Sequence, residues 1–330
     1  MDDGGIKEVW WLNQENISLI AEVRFVAELC LGTVQFGMNY GINNSLGQPT
    51  EEKVFEMLDA AIENGIHTID TAHAYGTAEE LLGRYFETRT HVDSLRIISK
   101  LSCNVIEENR EDAYSIVRKE LEDTLERLHV QCLDGYLLHS PQDIYNSDIV
   151  NALNRLKAEK LINHAGISIY DLQEGYAALE TEGFDYIQLP YSVMDQRGTQ
   201  EGFIQKAKSV GVTVFTRSAF LQGLFMMDRK CIPEYLKHAL PYLERFDELL
   251  NEYSADKMDV LIHFVTNEQK IDYLVFGVDS KEQLLQYINI YQNHNIPEEL
   301  VKELKETFVN IDKNIIFPSL WAGGQKKKGR

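Results

Sequence analysis

The chain has 330 residues, 44% of them hydrophobic and 10% aromatic, with 52 acidic against 32 basic side chains and a formal net charge of −20. That composition builds a large apolar core and excludes a disordered chain, while a field of this sign repels nucleic acid and anionic membrane surfaces. Four cysteines in no Cys-x-x-Cys spacing, a start without a basic n-region and no apolar run of spanning length predict reduced, mostly buried thiols, no signal peptide, and a cytoplasmic monomer or weak homo-oligomer.

Residues 1–28, with Trp10-Trp11 and the apolar stretch 17–26, form an extension expected to pack against the body of the fold, a partner-binding arm being the alternative. A first strand follows at 29–34. Thr50-Glu-Glu-Lys53 opens a helix running through 54–63, which Asn64-Gly65 ends. Strands at 66–70 and 95–100 precede a periodic helix at 116–128, and further strands fall at 133–139, 162–168, 186–189 and 212–217. The long interval before the last strand, 273–276, holds a crossover helix near 257–265 and an extra helix near 240–253. Eight short strands alternating with amphipathic helices predict a single (β/α)8 TIM barrel over 29–315, with 316–330 a tail whose basic run at 326–330 is solvated.

Barrel chemistry gathers where strands end, and four residues there suit proton donation. Asp70 and Tyr75 follow the second strand, Lys100 ends the third and His139 the fourth. A free phenol titrates near pH ~10, so a tyrosine acid near neutrality calls for a cation beside it, with a carboxylate to keep that cation charged. Lys100 paired with Asp70 is expected to lower the Tyr75 pKa, and His139 to orient a carbonyl oxygen. Taken singly, each residue would more often be a strand-end acid, a packing aromatic, a solvated charge or a core imidazole; their order along successive strands favours chemistry.

Gly65-Ile-His-Thr-Ile-Asp70-Thr-Ala-His-Ala-Tyr75-Gly76 matches every fixed position of Gly-x-x-x-x-Asp-Thr-Ala-x-x-Tyr-Gly, so the chain resembles the aldo-keto reductases from Leu29 to about Leu285. The resemblance implies reduction of an aldehyde or ketone, or the reverse oxidation, with hydride from a nicotinamide and the proton from Tyr75. It implies a cofactor lying along Gly32, Thr33 and Asp70. Ser168 and Gln188 match positions that bond the nicotinamide carboxamide, and the segment Ser218, Leu221, Gly223 matches the one along the pyrophosphate. Gly277, Asp279 and Gln283 match the ribose end. NADP(H) is the family default.

Three departures stand out. Ile169 follows Ser168 where the family commonly has Asn, removing one carboxamide contact. Arg217 replaces the aromatic ring that usually stacks under the nicotinamide; its guanidinium can stack on a flat ring, tune hydride affinity or bind an acidic substrate group. Asp279 stands where relatives offer a cation to the 2′-phosphate, which makes NAD(H) plausible unless Lys281 compensates. The polar mouth of Gln35, Asn39, Asn43 and Arg217 leans toward a hydrophilic, sugar-derived aldehyde. A slow-turnover sensor subunit on the same fold is the rival function. Scattered His67, His73, His139 and His164 offer no metal spacing, and no Gly-x-Ser-x-Gly elbow supports a hydrolase.

Overall fold

The computed structural model describes residues 26–89, 94–103, 105 and 112–321. The expectations for residues 1–25 and for the basic run at 326–330 lie outside the described residues. Eight strands run β1 (Glu28–Gly32), β2 (Thr68–Asp70), β3 (Arg96–Leu101), β4 (Leu133–Leu138), β5 (Ile162–Ser168), β6 (Phe184–Pro190), β7 (Thr213–Arg217) and β8 (Tyr273–Phe276). Each pairs in parallel with its neighbour in sequence, and β1 closes on β8 to complete the barrel. The helix after β1, Glu51–Glu63, starts at Thr50 with Glu51 and Glu52 in its first turn, where carboxylates favour the positive end of the helix dipole, and stops at Asn64. Between β7 and β8 lie helices Leu240–Glu252 and Lys257–Thr266, the second capped by the Asp256 carboxylate on the Met258 and Asp259 N–H groups.

Side chains alternate across a strand, and that alternation places the site. Cys30, Ile98, Leu137, Tyr186, Phe215 and Val275 belong to the core cluster inside the barrel, apart from the larger layer between strands and helices. Two residues further along the same strands, on the same inward side, stand Gly32, Lys100, His139, Gln188, Arg217 and Gly277. The apolar plug is aromatic: Phe215 stacks on Tyr273 at 4.5 Å, and Tyr186 packs against Phe215 at 5.1 Å. Room for the Tyr186 ring comes from Gly135, where a Cβ would meet it at 3.0 Å. The plug closes the barrel from below, so polar residues above it can be reached only from the C-terminal mouth.

Two features differ from the sequence reading. Of the four cysteines, all free, only Cys30 is buried, while Cys103 and Cys231 are exposed; Cys103 falls in a turn just past β3 and Cys231 in a short 3-10 turn, so nearness to regular elements does not bury them. The chain also stays packed beyond 316: Trp321 is buried, and its indole Nε1–H donates to the Ile315 carbonyl at 3.1 Å. No helix among the described residues is long and apolar enough to cross a membrane.

Candidate active site

The inward side of β2 and β3 brings Asp70 and Lys100 together. Lys100 is buried, and its ammonium donates to both Asp70 carboxylate oxygens at 2.7 and 2.8 Å and to the Thr71 carbonyl at 2.9 Å. An ammonium has three protons, so these acceptors satisfy it, and the Tyr75 hydroxyl sits at the longer distance of 3.4 Å. Tyr75 is held by a turn in which its N–H bonds the Ala72 carbonyl. That turn touches the loop after β1 at two glycines. A Cβ on Gly76, whose φ is +60°, would fall 2.2 Å from the Gly37 carbonyl oxygen, and one on Gly37 would strike the Tyr75 carbonyl. The Tyr-Gly pair of the motif is therefore a steric requirement of how the phenol is presented.

Burial, with the Asp70 carboxylate second, pushes the Tyr75 phenol well above its ordinary range. This corrects the expectation that Lys100 lowers it: with the ammonium engaged by Asp70 and Thr71, desolvation wins. Tyr75 thus holds its proton throughout the neutral range. His139 lies edge-on to Tyr75, ring centres 6.0 Å apart. Burial, then the Lys100 and Arg217 charges, push the imidazole down to about 3, so it is neutral. Its buried Nδ1 has no hydrogen-bond partner among the described residues.

Above these groups opens a cavity of about 770 Å³, lined by Asp70, Tyr75, His139 and Ser168 at its floor and by Gly32, Arg217, Ser218, Gly223, Gly277, Asp279 and Gln283 along its sides. Other expected contacts lie elsewhere. Gln188 is buried behind the wall, its amide N–H₂ donating to Asp70 at 2.7 Å and its carbonyl accepting from the Ser168 hydroxyl at 3.3 Å. It positions Asp70 and Ser168 and does not face the cavity. Thr33 does line the cavity, although its hydroxyl is spent on the Asp70 carbonyl at 3.1 Å. Leu221 has φ +48°, which turns its side chain into the core, and its N–H bonds the Ser218 carbonyl.

The rim is tied together by contacts distant in sequence. The Asn44 amide donates to Asp279 at 3.1 Å, Gln222 donates to the Tyr40 hydroxyl at 2.9 Å, and the Ile42 N–H bonds the Gln222 carbonyl. The loop after β1 is thereby fastened to those after β7 and β8. Lys281 does not line the cavity; it lies in electrostatic reach of Asp59 on the outer helix. Pro318, Ser319 and Trp321 complete the wall, a contribution missed because a C-terminal segment after the last strand pattern reads as tail.

A dinucleotide suits this space. Its volume falls in the range of ligand pockets, and it runs from the polar groups of Asp70, Tyr75, His139 and Ser168 to Asp279 and Gln283 beyond β8.

The model of the Aldo/keto reductase family matches residues 28–308. Among curated proteins, the chain is 24% identical over 259 residues to aldo-keto reductase str7 of Strobilurus tenacellus, covering 77% of this chain and 72% of that one. It is 22% identical to the NADH-specific methylglyoxal reductase of Escherichia coli (strain K12), covering 67% and 77%. Among solved structures, the holo form of an aldo-keto reductase from Bacillus halodurans superposes with a TM-score of 0.68 at 21% identity, covering 85% of this chain and 92% of that one. The glycerol dehydrogenase of Gluconobacter oxydans gives 0.68 at 19%, covering 87% and 94%. With a closed eightfold barrel, an Asp–Lys pair beneath a tyrosine, and a family match spanning most of its length, this chain belongs to the aldo/keto reductase family.

Proposed function

We propose that the protein reduces a small hydrophilic aldehyde or ketone to an alcohol, using NADH in preference to NADPH. The observation that carries the reading is Lys100 joining Asp70 and Tyr75 at the floor of an open cavity. A reduced nicotinamide bound between Asp70 and Ser168 would supply the hydride. Tyr75 holds a proton at its hydroxyl and gives it to the carbonyl oxygen as charge develops there. The phenolate left behind is stabilised by Lys100 at 3.4 Å and by the positive field of Arg217. Neutral His139 keeps one N–H to donate to the same oxygen, sharing its charge without competing for the proton.

The cofactor preference rests on the rim. Asp279 faces the cavity, burial raises its pKa, and no Lys or Arg other than Arg217 lines the cavity among the described residues. A 2′-phosphate would meet a carboxylate there; a ribose 2′-hydroxyl would meet a hydrogen-bond acceptor. The NADH specificity in the name of the Escherichia coli relative agrees with this.

The test is multiple-turnover NADH consumption with hydrophilic and large apolar carbonyls, for wild type and Tyr75→Phe. Sustained turnover, fastest with hydrophilic carbonyls and lost by roughly a thousandfold in the variant, is expected from removal of a general acid. One slow turnover per bound cofactor would instead favour a sensor, and a Tyr75→Phe rate within tenfold of wild type would remove Tyr75 from the chemistry.

A further inference from the structure

We propose that the carbonyl substrate carries a carboxylate and that Arg217 is the specificity-determining residue that receives it. This rests on the reductase reading and names its substrate class. Arg217 lies at the end of β7, half-buried on the cavity wall. Its guanidinium lies over the Tyr170 ring, Cζ 4.3 Å from the ring centre, and is anchored by a 2.9 Å hydrogen bond from Nη2 to the Ile169 carbonyl. A second, longer contact runs from Nη1 to the Ser218 hydroxyl at 3.4 Å. A guanidinium has five N–H donors, so three remain without an acceptor among the described residues.

Nor does any carboxylate of the protein pair with it among those residues. Asp195, whose charge Arg217 feels, is held by Arg197 through two hydrogen bonds of 2.8 Å. Asp70 is engaged by Lys100 and Gln188. In a chain with twenty more acids than bases, 52 against 32, a pre-positioned arginine left uncompensated at a cavity wall is a receptor for an anion from outside. The Asp70–Lys100 pair cancels, and Tyr75 and His139 are neutral, so among the described residues Arg217 is the one net charge beside the proton donor. A single cation with a planar fork suits a singly charged carboxylate better than a phosphate dianion, whose second charge it would leave unpaired. Tyr170 already covers one face of the guanidinium, and stacking by a nicotinamide on the other would leave its edge donors free for the substrate.

The experiment compares 4-oxobutanoate with its methyl ester, which share carbonyl and chain length and differ in charge. Wild type should prefer the acid by about thirtyfold or more in kcat/KM, the discrimination expected when a charge-assisted pair is lost. In Arg217→Gln that ratio should fall to within about threefold of unity, and Arg217→Lys should keep part of it. Because both substrates use the same cofactor, the ratio is insensitive to any change in cofactor binding. A wild-type ratio near one, or a ratio intact in Arg217→Gln, overturns the proposal while leaving the reductase reading standing. If neither compound consumes NADH, succinate titrated calorimetrically into the NADH-loaded protein decides separately: binding to wild type that is lost in Arg217→Gln supports the anion site, and no binding to wild type sinks it.

Discussion

At and just behind the floor of the cavity Asp70, Lys100, Gln188 and Ser168 satisfy one another, whereas at the rim Arg217 keeps donors unspent and the Asp279 carboxylate accepts from Asn44 through one oxygen. The backbone differs in the same sense. The floor residues Asp70, Lys100, Ser168 and Gln188 sit on parallel strands of the barrel, while in the rim segment after β7 Ser218, Leu221, Gln222 and Gly223 all have positive φ. Strain of this kind persists only where surrounding contacts hold it, and here the loop after β1 supplies them. Buried hydrogen bonds among the floor residues keep the proton donor in place without ligand, and a rim with unspent groups selects what is bound.

The largest expected break in this comparison is Lys100→Met. It leaves the Asp70 carboxylate buried without its cation, a change that costs about 3–5 kcal/mol in comparable pairs. Urea denaturation should show that loss of stability together with loss of turnover; a stable, active variant would mean the floor is not a closed network. The pH dependence of stability probes the same region. The folded pKa of His139, about 3, lies below its ordinary value of 6.5, so its contribution is fully present above pH 6.5 and declines as pH falls toward 3. His139→Asn should flatten that decline in denaturation curves taken across this window.

Changes at the rim should be smaller and should act on ligands. Asp279→Arg is expected to tighten NADPH binding by about tenfold, as repulsion gives way to a charge-assisted hydrogen bond, with NADH changing little. Fluorescence titration with both nucleotides measures it; an unmoved NADPH affinity would place the ribose end elsewhere. Asn44→Ala removes the hydrogen bond to the Asp279 carboxylate together with those to the Tyr40, Leu46 and Gly47 backbone that shape the loop after β1. Loosening that loop should raise cofactor dissociation at least about three- to fivefold in stopped-flow displacement, the scale of losing one such bond or more.

How much of this was legible in the sequence follows the same division. The barrel and the positions of Asp70, Tyr75, Lys100 and His139 follow from strand alternation and from a motif whose glycine is fixed by contact with Gly37. What a side chain bonds to was not legible. Gln188 occupies an inward position, but its two short contacts within the protein withdraw it from the cavity. Leu221 sits in the expected loop, yet its left-handed backbone reverses its direction. The direction of the Tyr75 shift was not legible because the sequence names the neighbouring cation and not the depth at which the phenol is buried beside Asp70. Asn44 and Asp279 are 235 residues apart, and nothing local to either marks the other as its partner.

The most direct test of the division between floor and rim is to measure NADH affinity and turnover in one preparation of Tyr75→Phe. Removing a single hydroxyl from the floor should abolish carbonyl reduction while the dissociation constant, read by fluorescence titration, stays within about threefold of wild type. Affinity falling in step with turnover, or turnover persisting, would contradict the assignment of chemistry to the floor and of binding to the rim.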